Sequence, residues 1–158
     1  MDHLDEPPDL TSELAEWLTL PLEAVVDALG SPWYELTSAG DSIRCGRDLV
    51  AGAWLYAGDP PQVMIGLIVG QAILVAVPRG EWQDLGRLTY RPSASIEEVQ
   101  HDHPNVLEAL AAAVQRAVRK RRRSFFWCRV CRRLTPPEDR HEDRVCMGCA
   151  SQHWGIVY

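Results

Sequence analysis

The chain has 158 residues with 22 acidic and 16 basic side chains, a net charge of −6, and a hydrophobic content of 46%. That length suits one domain of about 120 residues plus a small module. No apolar run reaches the ~18 residues of a membrane span, because Gly66, Gly70 and Gln71 interrupt the most apolar stretch; a cytoplasmic protein with no membrane partner is expected.

Residues 1–10 are polar and proline-containing and read as a frayed lead-in. Thr11 or Ser12 is placed to cap a short helix reaching about Leu18. A second helix starts near Pro21, since proline suits a first helical turn, and stops at Gly30 before Ser31-Pro32. The pair has the cadence of a helix-turn-helix, yet ten acidic residues and no Lys or Arg precede Arg44. Affinity for a phosphate backbone comes from cations displacing counterions. The two helices therefore read as a hairpin packed on a sheet, or as a protein-docking surface. Cys45 stands apart and reads as a buried free thiol.

Strands are expected at about Asp48–Tyr56, Gln62–Val69, Ala72–Pro78 and Arg87–Arg91, joined by short turns that include a Gly70-Gln71 hairpin. Short connections between sequential strands imply an antiparallel meander. A long helix follows, from Pro104 to about Arg123, with Asp102 or His103 as its N-cap. Leu107, Leu110, Val114, Ala117 and Val118 recur at steps of three and four, so one face packs on the sheet. Arg119, Lys120, Arg121, Arg122 and Arg123 fill its last turns, where the helix dipole favours cations.

Cys128, Cys131, Cys146 and Cys149 form two C-x-x-C pairs separated by fourteen residues. Each pair makes a turn that aims two thiolates at one ion, and two turns complete a sulfur tetrahedron that suits Zn²⁺. Residues 124–158 cannot bury a sufficient apolar core alone, so the ion is expected to fold them. Gly148 offers the second knuckle a positive φ, whereas Arg132 stands where many knuckles carry glycine. Iron is the alternative ion. Disulfide or redox pairing is a further one, disfavoured because no signal-peptide pattern opens the chain and no βαβ pattern surrounds a single pair. His141 and His153 are nearby but read as surface residues.

The segment Phe126-Trp127-Cys128-Arg129-Val130-Cys131-Arg132-Arg133-Leu134-Thr135-Pro136 resembles the zinc ribbon of Nudix-type NADH pyrophosphatases. There too a helix with a basic end leads into an aromatic-Cys-x-x-Cys turn. The resemblance implies a metal-ligand role for Cys128, Cys131, Cys146 and Cys149 and nothing more. No acidic Nudix helix is present, so hydrolase activity is not expected to accompany it.

Charge is split along the chain. Residues 1–100 hold sixteen acidic and five basic side chains, and residues 101–158 hold six and eleven. No zinc-deaminase, P-loop or Gly-x-Ser-x-Gly pattern occurs. The expectation is a non-enzymatic α+β protein. An antiparallel meander, N-terminal helices and a long helix occupy residues 1–123, and a four-cysteine zinc ribbon or treble clef occupies 124–158. Its basic, aromatic tail, through Arg119, Lys120, Arg121, Arg122, Arg123, Trp127, Arg129, Arg132 and Arg133, is expected to bind single-stranded nucleic acid or RNA. The alternatives are an adaptor binding an acidic protein surface, and a non-catalytic relative of a nucleotide-processing enzyme.

Overall fold

A computed structural model describes residues 7–36, 44–45, 49–50, 54–68, 72–83 and 86–158. The side chain of Cys45, the Gly70-Gln71 turn, most of the lead-in and part of the first expected strand lie outside the described residues. Two helices, α1 (Thr11–Leu18) and α2 (Leu22–Leu29), precede a short strand β1 (Tyr34–Glu35). A small ladder pairs β2 (Arg44–Cys45) with β3 (Leu49–Val50). The main strands are β4 (Trp54–Ala57), β5 (Val63–Ile68), β6 (Ala72–Gln83) and β7 (Arg87–Gln100), followed by α3 (Val106–Arg123). With β1 they form a five-stranded antiparallel sheet in the order β1-β4-β5-β6-β7. Among the described residues no helix is long and apolar enough to cross a membrane.

Alternation along the strands sorts side chains onto two faces. Leu55, Val63, Ile65, Ile73, Val75 and Val99 point to one face, where they meet Leu14 and Leu18 of α1, Val25 of α2, and Leu110, Ala113, Val114 and Ala117 of α3. Trp54, Met64, Leu74 and Ala76 form a second cluster on the opposite face. Burial on both faces is why β5 and the first half of β6 read as nearly unbroken apolar runs. Gly66 lies opposite Trp54 in the register, and a Cβ there would sit 3.0 Å from the indole ring.

Strands β6 and β7 run well past their expected ends. Their pairing shifts between Ala76 and Pro78, then continues from Pro78↔Pro92 to Gln83↔Arg87. Beyond the shift Arg79, Glu81, Gln83 and Arg91 share the ladder with the buried Pro78 and the half-buried Leu88 and Tyr90. The unexpected parts, residues 79–83 of β6 and 92–100 of β7, are held by pairing with the other strand, a partner that local periodicity does not announce.

The helix starts differ from the expected caps. Leu10 occupies the N-cap of α1 without a side-chain bond. Asp9 does the capping instead: its Oδ1 accepts from the Thr11 amide at 2.9 Å, from the Thr11 hydroxyl, and from the Trp33 amide at 3.1 Å. The Leu10 amide also donates to the Trp33 carbonyl at 2.7 Å, so residues 9 and 10 are fastened rather than frayed. In α3 the N-cap is Asn105, and His103 Nδ1 serves the turn before it by accepting from the Asn105 amide at 3.0 Å.

The Thr11 hydroxyl, with the Thr11 and Trp33 amides, holds the Asp9 carboxyl below its ordinary 3.8 against an opposing effect of burial. The capping contribution is therefore fully present above the unfolded-state pKa and disappears as pH falls through the lower folded-state value. Asp9→Asn is expected to lower stability at neutral pH by at most about 1 kcal/mol, given the exposure of the carboxylate. The gap from wild type closes in acid, as thermal unfolding across a pH series will show.

Candidate metal centre

Beyond α3 the chain forms a two-stranded hairpin, β8 (Phe126–Trp127) with β9 (Leu134–Thr135), and then helix α4 (Met147–Trp154). The hairpin turn holds the first cysteine pair. The Cys128 amide donates to the Arg133 carbonyl at 2.9 Å, and the Arg132 amide to the Cys128 carbonyl at 3.0 Å. Arg132 takes a φ of 58°, the left-handed conformation that glycine adopts most cheaply. The second pair sits at the start of α4, with Cys146 as its N-cap. Two ligands from a hairpin and two from a helix's first turn make this a treble clef rather than a ribbon.

The second knuckle gets its left-handed residues from Asp143 and Arg144, at φ 52° and 59°, and not from Gly148. Gly148 lies inside α4. The helix ends at Gly155, whose φ is 65°, and residues 156–158 continue without strand pairing.

The four sulfurs converge. All lie within 4.8 Å of one another, with Cys128 Sγ to Cys149 Sγ and Cys131 Sγ to Cys146 Sγ both at 3.9 Å. Metal–sulfur bonds of about 2.3 Å in a tetrahedron give edges of about 3.8 Å. Disulfide pairing, at about 2.05 Å, is not what this spacing describes, and all four cysteines are free. The Cys146 amide points at Cys128 Sγ at 3.3 Å and the Cys149 amide at Cys146 Sγ at 3.5 Å, a donor set suited to thiolates.

Burial pushes the Cys128 thiol up, but the amides of Cys131, Cys146 and Val130 more than offset it and bring it to about 6. Burial, reinforced by the neighbouring sulfurs, pushes Cys149 up to about 12. Four adjacent sulfurs cannot all ionise without a cation between them, and a divalent ion supplies that charge. Cys128 and Cys149 are buried, whereas Cys131 and Cys146 are half-buried in the wall of a groove of about 610 Å³, which offers an entry path. The residues present therefore fit a metal ion. Neither nearby histidine belongs to the cluster. His141 packs against Trp154 and Tyr158, and His153 is exposed.

The tail residues expected to form a binding surface do not all reach one. Arg119, Lys120, Arg122 and Arg123 are exposed on α3, as are Trp127, Arg129, Arg132 and Arg133 on the hairpin and its turn. Arg129 lies 3.7 Å from Asp143. Arg121 is the correction: it is 1% exposed and cannot meet a ligand. It continues the buried stripe Leu110, Ala113, Val114 and Ala117, one turn beyond Ala117. Its guanidinium grips both carboxylate oxygens of the equally buried Glu138, and its Nε donates to the Pro61 carbonyl at 3.1 Å.

Glu138 stands in a short 3-10 turn, Pro137–Asp139, between the two knuckles. Its carbonyl accepts from Trp82 Nε1 at 2.7 Å, and a Cβ on Gly80 would come within 2.7 Å of its side chain. Burial and then the charge of Glu138 raise the Tyr90 phenol well above its ordinary value. Glu138 thus docks the metal module on α3 and on the far end of the β6–β7 hairpin. Sequence reading missed this role, although the helical phase of Arg121 was a signal for it.

Comparison with models of known protein families, with curated proteins and with solved structures finds no match to this chain. The resemblance to the Nudix-type ribbon thus has no family match behind it, and what stands is the four-cysteine cluster.

Glu138→Ala leaves a buried guanidinium without its partner, which is expected to cost about 3–5 kcal/mol. Arg116→Ala, at the exposed pair with Glu97, is expected to change stability far less, because solvent screens that pair. Chemical denaturation of the two variants will show whether the difference has this sign and size.

Proposed function

We propose that this chain is a zinc-dependent binding protein whose C-terminal module presents an arginine and tryptophan surface to single-stranded nucleic acid. Four thiolates favour zinc over hard oxygen-seeking cations, and they complete its tetrahedron, which gives the ion a structural role. The expected consequence is one zinc per purified chain by elemental analysis, with Cys128→Ser losing both the metal and the fixed environment of Trp127 by fluorescence. A coloured, iron-containing preparation would replace zinc with the alternative ion.

The observation that carries the reading is Trp127, which is 58% exposed on a hairpin anchored to the metal knuckle. A tryptophan held out from the surface on a braced element offers a flat face to a ligand. Its cross-strand partner Leu134 is also exposed, and Arg129, Arg132 and Arg133 occupy the adjoining turn. Arginines engage phosphates, and an aromatic face stacks an unpaired base for about 1–3 kcal/mol. Arg119, Lys120, Arg122 and Arg123 add positive potential from α3.

The test is fluorescence anisotropy of a labelled single-stranded RNA with the metal-loaded chain. Affinity is expected to fall steeply with salt, Trp127→Ala to weaken binding by about 5- to 100-fold, and Arg132→Glu with Arg133→Glu to abolish it. Absence of binding at low salt, together with a protein retained from nuclease-treated lysate, would turn the assignment to the adaptor.

A further inference from the structure

The fold exposes two surfaces of opposite charge, each with an apolar centre. On α2, Leu22 and Val26 are 47% and 38% exposed, one helical turn apart, with Glu23 and Asp27 exposed beside them. Glu13 and Glu16 are exposed on the adjoining α1, and neither helix contains a Lys or Arg. On the metal module, Trp127, Val130 and Leu134 are 58%, 39% and 49% exposed, and the exposed Arg132 and Arg133 lie in the same hairpin.

Both surfaces are open in the folded chain, so they do not cover each other within one copy. We infer that the occupant of the acidic α2 face is the arginine-bearing hairpin of a second copy. Two acidic side chains around two aliphatic ones match two arginines around a Trp/Val/Leu patch in charge and in character. Opposite potentials steer such an encounter, and the apolar centres supply the burial that holds it. The partner is present at the same concentration by construction.

Because one copy gives its hairpin and receives a hairpin on a different face, the contact is heterologous and propagates as a ring or a filament. The patches are small, which places the contact among weak interfaces below about 1,200 Å². Assembly is therefore concentration-dependent and salt-sensitive. This inference does not rest on the nucleic-acid reading, and its test contains no nucleic acid.

Sedimentation velocity on the metal-loaded, nuclease-treated chain is the measurement. Association is expected to weaken at least about 10-fold when salt rises from about 50 to about 500 mM. The double variant Arg132→Glu/Arg133→Glu and the double variant Glu23→Arg/Asp27→Arg are each expected to remain monomeric alone. Mixed together they are expected to associate again, because the unaltered helix face of one meets the unaltered hairpin of the other and the two reversed faces complement as well. Metal content and circular dichroism establish that both variants are folded, and the salt series on the unaltered chain stands without them. A chain monomeric at every concentration in low salt, or a mixture that fails to recover association, would overturn the inference.

Discussion

A guanidinium shut inside a protein demands a carboxylate, and the pairing of Arg121 with Glu138 is the contact on which the arrangement of this molecule rests. Withdrawing two charges from water is expensive, and their attraction offsets that expense only when the remaining donors are also satisfied. Each guanidinium nitrogen has a partner here: Arg121 Nε reaches the Pro61 carbonyl while the two terminal nitrogens take the two carboxylate oxygens. The fork-to-fork geometry fixes direction as well as distance. An apolar contact of similar size could hold the module against α3 equally well, but it would not dictate the module's orientation. Gly80 completes the fit, because any side chain there would occupy the space of Glu138.

The metal cluster and this ion pair are linked. Glu138 belongs to the segment between Cys131 and Cys146, so an ion held by the two knuckles would also set where the carboxylate stands. The module's own core is Phe126, Val145, Ala150 and two of the cysteines, too little to fold without the ion. Whatever stabilises the knuckles thus favours burial of Arg121, and by reciprocity a well-seated Arg121 favours the ligand geometry. The β6–β7 hairpin joins this unit through Trp82, whose indole N–H donates to the Glu138 carbonyl.

Much of this was legible from residue patterns, and the failures share a cause. Cysteine spacing located all four sulfurs because the ligand turn is local. The α3 stripe was legible because helical periodicity is local too. What escaped depended on partners distant in sequence. Asp9 fastens α1 by reaching Trp33, and a local capping rule looks no further than Thr11 or Ser12. Residues 79–83 of β6 and 92–100 of β7 lengthen the expected strands because each has the other strand to pair with, a partner no local alternation announces. Gly148 looked like the flexible residue of the second knuckle, yet α4 begins there and the left-handed turn falls on Asp143 and Arg144.

Arg121 shows how a basic run should be weighed. Consecutive residues on a helix are about 100° apart, so five of them travel all the way around the axis. When one face of that helix is already committed to a core, at least one member of the run must turn inward. Arg119, Lys120, Arg122 and Arg123 therefore spread over the remaining circumference instead of forming a single patch. A compact cationic surface has to come from elsewhere, and the β8–β9 hairpin supplies it: Trp127 and Leu134 oppose each other across the ladder, with Arg132 and Arg133 in the turn. The composition suggested a charged helix end. Helical phase moves the centre of the surface to the hairpin that the metal knuckle braces.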